Sequence, residues 1–499
     1  MTPTIFSPRL TAWLAALSAA LVLSACGGGG GGSETSVVTP PTSSTPSTTP
    51  ATTTTPTTPT TTVTASISAT GPSRAIANTV LTYSAAVANA TASALDWLWG
   101  DGAANSSGSN PSKVWNRAGT FLGTVTATVN GQPVSGNQTV TVVAEPVSAG
   151  LDHTCALQPS GSVLCWGSNN VGQLGDSTLV NKTTSVAVTG LTDAIALSAG
   201  EYHTCVLKSN GRAGCWGYND NGQLGDGTTV NKTTPVAVAG LTNAIALAAG
   251  PNYTCALKAN GTVACWGENG DGQLGDGTTV DKITPVAVTG LTDVVALGVG
   301  GGHSCALKAN GSVACWGYNR SGQLGDGTTV DKTTAVAVTG LTDAVSLSVG
   351  GAHNCVLKAS GSVACWGRNL DGQLGDGTQV NKTAPVAVIG LTDAMSLSAG
   401  SYHTCALRTD GSLACWGYNA YGQIGDGTTV TKTTPVTVAG LTGVVAVSAS
   451  NYHTCALQAS GSATCWGYNV EGQLGDGTTG LGNNKSLPTL VLGGAIFWQ

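Results

Sequence analysis

The cysteines are the residues of this chain whose types and spacing could do chemistry. Fourteen of the fifteen form seven pairs, with nine residues between the members of a pair and 50 residues from one pair to the next. A histidine stands two residues before the first cysteine in six units, and Tyr253 replaces it in the third. Such groups can form disulfides, stay as thiols or bind a metal ion. The pairs are Cys155 and Cys165, Cys205 and Cys215, Cys255 and Cys265, Cys305 and Cys315, Cys355 and Cys365, Cys405 and Cys415, and Cys455 and Cys465.

The spacing of each pair favours a disulfide. A hairpin centred near residue 160 places Cys155 opposite Cys165, and opposed residues at a non-hydrogen-bonded site have Cα atoms about 4.5 Å apart, within disulfide range. A metal site would need a fourth ligand, and nothing nearby supplies one, while zinc ligands usually lie at tighter turn spacing. Free thiols remain the other alternative. We therefore expect seven disulfides, no metal and no cofactor.

Three other residue types recur at fixed positions. The histidines are interpreted as core or inter-repeat hydrogen-bonding groups rather than catalysts, because six copies occupy one structural position. The aspartate of each Gly-Asp-Gly turn could suggest calcium, but its spacing fits no EF-hand loop, so a structural turn is favoured. The repeated lysines are expected to be solvated or paired with aspartate.

The 50-residue period predicts a repeat architecture in which each unit buries its surface against its neighbours. Glycine and asparagine divide one unit into four short strands, near residues 193–200, 203–207, 214–217 and 235–238. Four-stranded repeats of this length are typical of propeller blades. In this register Trp166 lies opposite Thr154, and its indole is expected to pack against the next blade.

The motifs G-x-x-H-T-C-A-L, G-x-V-x-C-W-G-x-N and G-Q-L-G-D-G-T resemble the regulator-of-chromosome-condensation repeat family. All seven units resemble the consensus. The resemblance implies a seven-bladed β-propeller over residues 146–499. We expect the last residues, 495–498, to complete the sheet beside the first blade and close the ring, which would remove exposed strand edges.

Residues 65–145 form a different module. Alternating and β-branched runs separated by turn residues predict an antiparallel sandwich. The segments Trp97-Leu98-Trp99-Gly100-Asp101-Gly102 and, later, residues 115–121 resemble the polycystic-kidney-disease (PKD) type of Ig-like domain. The predicted fold class is all-β: a seven-bladed propeller preceded by a small Ig-like sandwich and a disordered tether.

The N-terminus carries the pattern of an export signal. Arg9 precedes an apolar run over residues 10–23, and Leu23-Ser24-Ala25-Cys26 resembles a bacterial lipobox, in which the cysteine becomes the lipidated N-terminus. An ordinary signal peptide cleaved near Ala25 is the alternative. Residues 1–26 are thus predicted as signal and 27–64, rich in Gly and then Thr, Pro and Ser, as a disordered linker. Gly27 favours the outer membrane or cell surface, with anchoring through the lipid only.

The charge balance limits the class of partner. A net charge of −6 with only 9% charged residues argues against nucleic-acid binding, which needs a basic stripe. That charge is also expected to be too small and too spread out to steer a partner. We expect a monomer.

The units differ from one another mainly in two places. One is the pair of residues before the histidine, and the other follows the Trp-Gly dipeptide. In a four-stranded meander both places fall on one face, which would then carry aromatic and arginine side chains typical of interfaces. Drift in unconstrained loops is the alternative. The predicted partner-binding residues are Tyr202, Tyr218, Tyr318, Arg320, Arg368, Tyr402, Tyr418, Tyr421, Tyr452 and Tyr468.

These observations predict a lipid-anchored scaffold of the bacterial envelope that binds an unknown protein or glycan through one loop face. An envelope enzyme, a hydrolase or lyase, is the alternative. We expect no enzyme, because no carboxylate pair or Ser/His/Asp set is unique to one repeat and catalysis needs asymmetry. Guanine-nucleotide exchange, the activity of the family's namesake, is less expected, since an exported chain would not meet that partner.

Overall fold

The computed structural model describes residues 66–70, 74–76, 80–88, 95–99, 106–110, 112–114, 119–129, 132–143 and 146–492. These residues form an all-β structure with one short 3-10 helix at Leu481–Asn483 and no α-helix. None of them lies in a helix long and apolar enough to cross a membrane. Cys26, the linker, most of the PKD-like turn and the C-terminal segment 495–498 lie outside the described residues, so the inferences drawn from them stay predictions.

The first module packs its strands around three aromatic side chains. Trp97 and Trp99 are buried and stack with ring centroids 4.9 Å apart, and Tyr83 packs beside them. One sheet has the order β2-β9-β8-β5-β6, and β1-β4 and β3-β7 form two smaller sheets. The strands are β1 Ser66–Thr70, β2 Arg74–Ile76, β3 Val80–Thr82, β4 Ser84–Ala88, β5 Asp96–Leu98, β6 Ser106–Ser107, β7 Ser112–Val114, β8 Gly119–Val129 and β9 Gln132–Val143.

The repeats form seven four-stranded sheets, one per unit, and each sheet is a blade. Blades 1 to 3 comprise β10 Val147–Ala149, β11 His153–Leu157, β12 Val163–Gly167, β13 Lys182–Ala187; β14 Ala194–Ala199, β15 His203–Lys208, β16 Ala213–Gly217, β17 Lys232–Ala237; β18 Ala244–Ala249, β19 Tyr253–Lys258, β20 Val263–Gly267, β21 Lys282–Ala287. Blades 4 and 5 comprise β22 Val294–Val299, β23 His303–Lys308, β24 Val313–Gly317, β25 Lys332–Ala337; β26 Ala344–Val349, β27 His353–Lys358, β28 Val363–Gly367, β29 Lys382–Ala387. Blades 6 and 7 comprise β30 Ala394–Ala399, β31 His403–Arg408, β32 Leu413–Gly417, β33 Lys432–Thr437; β34 Val444–Ala449, β35 His453–Gln458, β36 Ala463–Gly467, β37 Lys485–Leu490.

Within a blade the strands, here called a to d, run as an antiparallel meander. The predicted register is confirmed in blade 1, where Thr154 lies opposite Trp166 and Cys155 opposite Cys165. The same pairing of cysteines recurs in the other six blades. Strands b and c of every blade therefore bring one cysteine pair face to face.

All seven pairs are joined as disulfides, as the spacing predicts. The cysteines are fully buried, and the Cα atoms of each pair lie 4.0–4.1 Å apart. Each bond ties strands b and c of one blade. The bonds join Cys155 with Cys165, Cys205 with Cys215, Cys255 with Cys265, Cys305 with Cys315, Cys355 with Cys365, Cys405 with Cys415, and Cys455 with Cys465.

The a strands of neighbouring blades contact one another, so they surround the axis of the ring. The last blade meets the first through the contacts that join other pairs of blades. His453 Nε2 lies 2.9 Å from Thr154 Oγ1, and Trp166 Nε1 donates to the Gln473 carbonyl over 3.0 Å. Blade 1 also builds its sheet from its own four strands. The described residues thus close the ring by blade-to-blade packing.

One backbone carbonyl from each blade accepts two hydrogen bonds from the following blade. Gln173 O, in the c–d loop of blade 1, accepts from Thr204 Oγ1 at 3.0 Å and from Trp216 Nε1 at 2.9 Å. The tryptophan therefore packs against the preceding blade, and the expectation that it packs against the next one is wrong. The reason is that the c–d loop of each blade reaches forward to cover the Trp of its successor.

The histidines link blades, as predicted. Because the Thr204 hydroxyl proton goes to Gln173 O, its oxygen must accept from His153 Nε2, 2.9 Å away. The ring therefore carries a proton on Nε2, and burial, which lowers its pKa to about 3, keeps it neutral. In unit 3, the longer Tyr253 donates to the His303 carbonyl, and Ser304, which lacks the γ-methyl of threonine, contacts the Tyr253 hydroxyl at 3.1 Å.

In six units a glycine stands three residues before the position held by histidine or Tyr253. The next blade approaches so closely there that a side chain does not fit. A Cβ atom on Gly200 would lie 2.2 Å from the Gly250 carbonyl oxygen and 2.7 Å from His203 Cε1. Real Cβ atoms do not make contacts this short, so a side chain here would force the blades apart.

Replacing Cys305 and Cys315 together by alanine should lower the free energy of unfolding by up to about 3 kcal/mol, because the unfolded chain regains the freedom of a closed loop. Guanidinium unfolding without reductant measures this.

Mass mapping of the exported protein should find none of the fourteen repeat cysteines alkylated before reduction. Alkylation of all of them would contradict the pairing.

The Thr204→Val substitution should destabilise the chain by about 2–3 kcal/mol, because it leaves buried His153 Nε2 without its acceptor and removes one donor from Gln173 O. Thr229→Val, at an exposed site, is the matched control and should change stability by less than about 0.5 kcal/mol. Equal unfolding midpoints for the two variants would show that the inter-blade link contributes nothing.

The chain should lose stability in mild acid. Burial lowers the pKa of His153, His203, His353, His403 and His453 from the usual 6.5 to about 3, and that of His303 to about 4. The histidines contribute their full stabilisation above pH 6.5. Below that pH the unfolded chain takes up protons that the folded chain does not, which lowers the free energy of unfolding by up to about 1.4 kcal/mol per histidine per pH unit. Asp152, whose pKa is raised to about 7, acts in the opposite direction but is one group.

Guanidinium midpoints between about pH 7.5 and 4.5 measure this dependence. His403→Gln keeps an N–H donor near the position of Nε2 but cannot titrate. The free energy of unfolding of this variant should therefore fall less steeply with decreasing pH, because its unfolded chain takes up one proton fewer. A wild-type midpoint that rises on acidification would contradict the buried, neutral state of the histidines.

Candidate functional site

The two variable places of each unit meet on one face of the disc. The Tyr218 amide donates to the Tyr202 carbonyl over 2.9 Å, and the same hydrogen bond joins the a–b and c–d connections of the other units at 2.8–2.9 Å. This agrees with the geometry predicted from the meander. We call this the variable face and define it by positions 151–152, 168 and 170–171 and their equivalents in later units.

The Trp-Gly dipeptide turns the chain onto this face. Gly217 has φ 103°, a left-handed conformation that favours glycine. A Cβ atom there would lie 2.5 Å from the Tyr202 carbonyl oxygen and 2.8 Å from His203 Cα. The glycine therefore lets the c–d loop start directly against the a–b connection, which places side chains 202 and 218 side by side.

A buried asparagine holds the base of each c–d loop. Asn219 Oδ1 accepts from the Leu224 amide at 2.9 Å, and its Nδ2 donates to the Thr228 carbonyl at 3.0 Å. Sequence reasoning missed this residue, although an asparagine follows Trp-Gly by two positions in all seven units. The base of the loop is thus fixed, and its exposed residues include the variable positions as well as a repeated valine, Val230 in blade 2.

The Gly-Asp-Gly turn is part of the same framework. Asp226 accepts from the Thr228 amide at 2.9 Å and pairs with Lys232 at 3.4 Å. Burial by itself would raise the pKa of Asp226, but the Thr228 hydrogen bonds and Lys232 lower it below its usual range. The carboxylate is committed to the turn, and the repeated lysine neutralises it.

The ten residues predicted to bind a partner separate into groups. Five half-buried tyrosines form one continuous cluster across blades 6 and 7, which we call the tyrosine arc: Tyr402, Tyr418, Tyr421, Tyr452 and Tyr468. Neighbouring ring centroids lie 4.9 Å apart for Tyr421 and Tyr468 and 5.4 Å apart for Tyr402 and Tyr452. Tyr202 and Tyr218 form a separate pair in blade 2, with centroids 6.3 Å apart.

The two arginines contact aromatic rings. The Arg368 guanidinium lies 5.2 Å from the Tyr402 centroid and pairs with Asp371 at 2.6 Å, so it extends the arc into blade 5. The Arg320 guanidinium lies 5.7 Å from the Tyr318 centroid in blade 4, and this pair stands apart from the arc. The face is therefore asymmetric around the ring.

Acidic side chains of blades 1 and 2 lie next to the arc. Glu201 is buried, and Asn451 Nδ2 approaches its Oε1 at 3.5 Å from blade 7. Asp152 accepts from Gln473 Nε2 at 3.0 Å, and burial, reinforced by Glu471, raises the pKa of its carboxyl to about 7. Sequence reasoning assigned these acids no role, although each occupies a variable position.

The other repeated chemistry lies inside the blades. The disulfide cysteines and the histidines are buried away from the variable face. Across the described residues, no three His, Cys, Asp or Glu side chains come together as metal ligands. The repeated cysteines and histidines are therefore not accessible for recognition, whereas the tyrosines and arginines of the variable face are partly or fully exposed.

Solved structures with similar folds include yeast RCC1 (Prp20) bound to Kap60, with 22% identity, 69% of this chain and 85% of that chain covered, and a TM-score of 0.59. Prp20p from Saccharomyces cerevisiae shows 23% identity, coverage of 69% and 86%, and a TM-score of 0.58. Human WBSCR16 shows 20% identity, coverage of 66% and 94%, and a TM-score of 0.59. At these identities the likeness concerns the fold. A search of curated proteins found no match.

A family model agrees with the fold. The model of the RCC1-like domain matches residues 29–356 and 182–497, which together span most of the sequence. The matched residues include all seven units with their Cys pairs, Trp-Gly turns and c–d loops. The chain belongs to the RCC1-like domain family.

Proposed function

We propose that this chain is a lipid-anchored scaffold of the bacterial cell envelope, which binds a protein or glycan through the variable face. The observation that carries the proposal is the division of each unit into two parts. The residues that join strands and blades repeat, whereas the positions that differ lie together on one face and include partly exposed tyrosines and arginines. Tyrosine and arginine contribute strongly to protein interfaces.

The buried disulfides support export. Disulfides persist in oxidising compartments and are rare in the cytosol, and the Cys26 motif would place the chain in such a compartment. A lipid on Cys26 would anchor the chain, and residues 27–64 would hold the propeller away from the membrane. Both statements belong to the proposal.

The similar structures support a protein partner at the level of the fold. One is a complex of yeast RCC1 with Kap60, and another concerns the binding of Prp20p to Gsp1p and histones. Those partners are not proposed for this chain, because the sequences are less than a quarter identical and the proposed location is the cell envelope.

An envelope enzyme is the second candidate, and Asp152 is the observation that favours it. A carboxyl with a pKa of about 7 can exchange protons at neutral pH, and such groups often lie in functional sites. Its neighbours are Gln473 and Glu471. Turnover of an envelope polymer that disappears in Asp152→Asn would favour this candidate.

Affinity capture from an envelope extract with the purified full chain as bait identifies the partner, called the captured partner below. The double substitution Tyr421→Ala and Tyr452→Ala should weaken its binding about tenfold or more, because it removes two mutually packed rings from the centre of the arc. The measurement is the dissociation constant for the purified full chain. Lys308→Ala with Thr339→Ala, on the opposite face, is the control and should leave affinity within about twofold. Unchanged affinity in the tyrosine variant, with an unchanged melting temperature, would overturn the assignment of the face.

A further inference from the structure

The net charge of the chain lies almost wholly on the variable face. The variable positions hold seven acidic and two basic side chains, a net of −5, while the chain carries −6. The remaining charged residues nearly cancel, at eighteen acidic against seventeen basic. The formal excess is therefore unevenly divided between the two faces, although its acids are distributed over five of the seven blades. The acids are Asp152, Glu201, Asp220, Glu268, Asp271, Asp371 and Glu471.

Away from this face, many acids are paired with bases. On the opposite face Lys208 pairs with Asp193 at 3.1 Å, and Lys358 with Asp343 at 3.2 Å. At the turn in the c–d loop, each aspartate has its repeated lysine nearby, as for Asp276 and Lys282 at 3.2 Å. Such pairs cancel each other's field at a distance, whereas the variable positions carry five more acidic than basic side chains and so keep a net formal negative charge.

Four of these acids lie near the tyrosine arc, where their charges raise the pKa of its hydroxyls: Asp152, Glu201, Asp371 and Glu471. The second residue of the c–d pair in one blade lies beside the a–b connection of the next, as Tyr421 lies against Tyr452. Glu471 holds the same position in blade 7. Burial raises the pKa of the Tyr468 hydroxyl, and the carboxylates of Asp152 and Glu471 raise it further. Ring faces and negative charge therefore occupy one surface.

This surface already holds a cation of its own chain. Arg368 rests over Tyr402 at 5.2 Å from the centroid, while its guanidinium pairs with Asp371 at 2.6 Å. A ring and a carboxylate acting together are the combination that binds a guanidinium or ammonium group. In blade 7, Tyr468 takes the position of Arg368 and Glu471 that of Asp371, so this unit keeps the carboxylate and has no basic residue among its variable positions; Glu471 also accepts from Asn181 Nδ2 at 2.7 Å.

We propose that the partner is a protein with a basic segment, whose lysine or arginine side chains lie on the tyrosine arc and are neutralised by the acids around it. The inference rests on the proposed function and narrows it. It favours a protein over a glycan, because neutral sugars gain nothing from the excess charge and acidic sugars are repelled by it. Most rings of the arc also meet at tilted or edge angles of 55–82°, and only Tyr402 and Tyr452 stack, at 20°, so the arc offers no flat platform for successive sugars.

The test measures binding of a fluorescent peptide of alternating arginine and glycine to the full chain. Asp220→Asn, Glu268→Gln and Glu471→Gln together remove three charges from the variable face and should weaken binding about tenfold or more. Asp293→Asn, Asp343→Asn and Asp393→Asn remove three charges from the opposite face and should change it about twofold or less. Equal weakening by both sets would mean unspecific attraction and would overturn the inference.

A second pair of variants tests the rings. Tyr452→Ala with Tyr468→Ala should weaken peptide binding about three- to thirtyfold, whereas the phenylalanine versions keep the ring faces and should bind nearly as the wild type. Equal binding by the alanine and phenylalanine variants would overturn the role of the arc. Binding of a chitin oligosaccharide, with none of the arginine peptide, would overturn the choice of a protein partner.

The captured partner separates this inference from the proposed function. If its affinity falls in the Tyr421→Ala and Tyr452→Ala double variant but not in the triple charge variant or at raised salt, the face binds a partner and the basic segment is wrong. If neither variant changes its affinity, both proposals fail. Loss of affinity in both variants supports both.

Discussion

The stability of the ring depends on one backbone carbonyl in each c–d loop. Gln223 O accepts from Thr254 Oγ1 and Trp266 Nε1 of the following blade, both at 2.9 Å, and these side chains are excluded from water. A buried donor without a partner costs free energy, so none of these groups can be lost cheaply. Because the ring closes, each blade supplies one such carbonyl to the following blade and donates two hydrogen bonds to the carbonyl of the preceding blade.

This constraint explains which residues repeat and how exceptions are accommodated. Where asparagine takes the place of the threonine, Asn354 accepts from His303 through Oδ1 at 2.9 Å and donates to Gln323 O through Nδ2 at 2.7 Å. In the last unit Ser450 stands in place of glycine, and its hydroxyl lies 2.7 Å from His453 Nδ1. Changes at the blade interface are therefore compensated locally.

The sequence predicts the pairing of strands within a blade well and the contacts between blades less well. The spacing of Cys155 and Cys165 sets the register of strands b and c, because directly opposed residues must be close enough to bond. The direction in which Trp166 packs depends on the path of a loop about 300 residues away in sequence and is not encoded locally. The meander predicted from the sequence already places the a–b and c–d connections on one face, so the excess of acids there could have been counted from the sequence, although the net charge alone does not reveal it.

A ring of equivalent blades has no preferred orientation toward a partner unless its units differ. Here the differences that matter are adjacent: Arg368 in blade 5, the tyrosine arc in blades 6 and 7, Asp152 in blade 1 and Glu201 in blade 2. The tyrosines support one another through ring contacts, and their loops are held from below by buried asparagines such as Asn419. Side chains held in this way lose little entropy on binding, so most of their contact energy is available for affinity. The repeated contacts between blades make the scaffold rigid, and the differences among units over this sector would give the proposed recognition its direction.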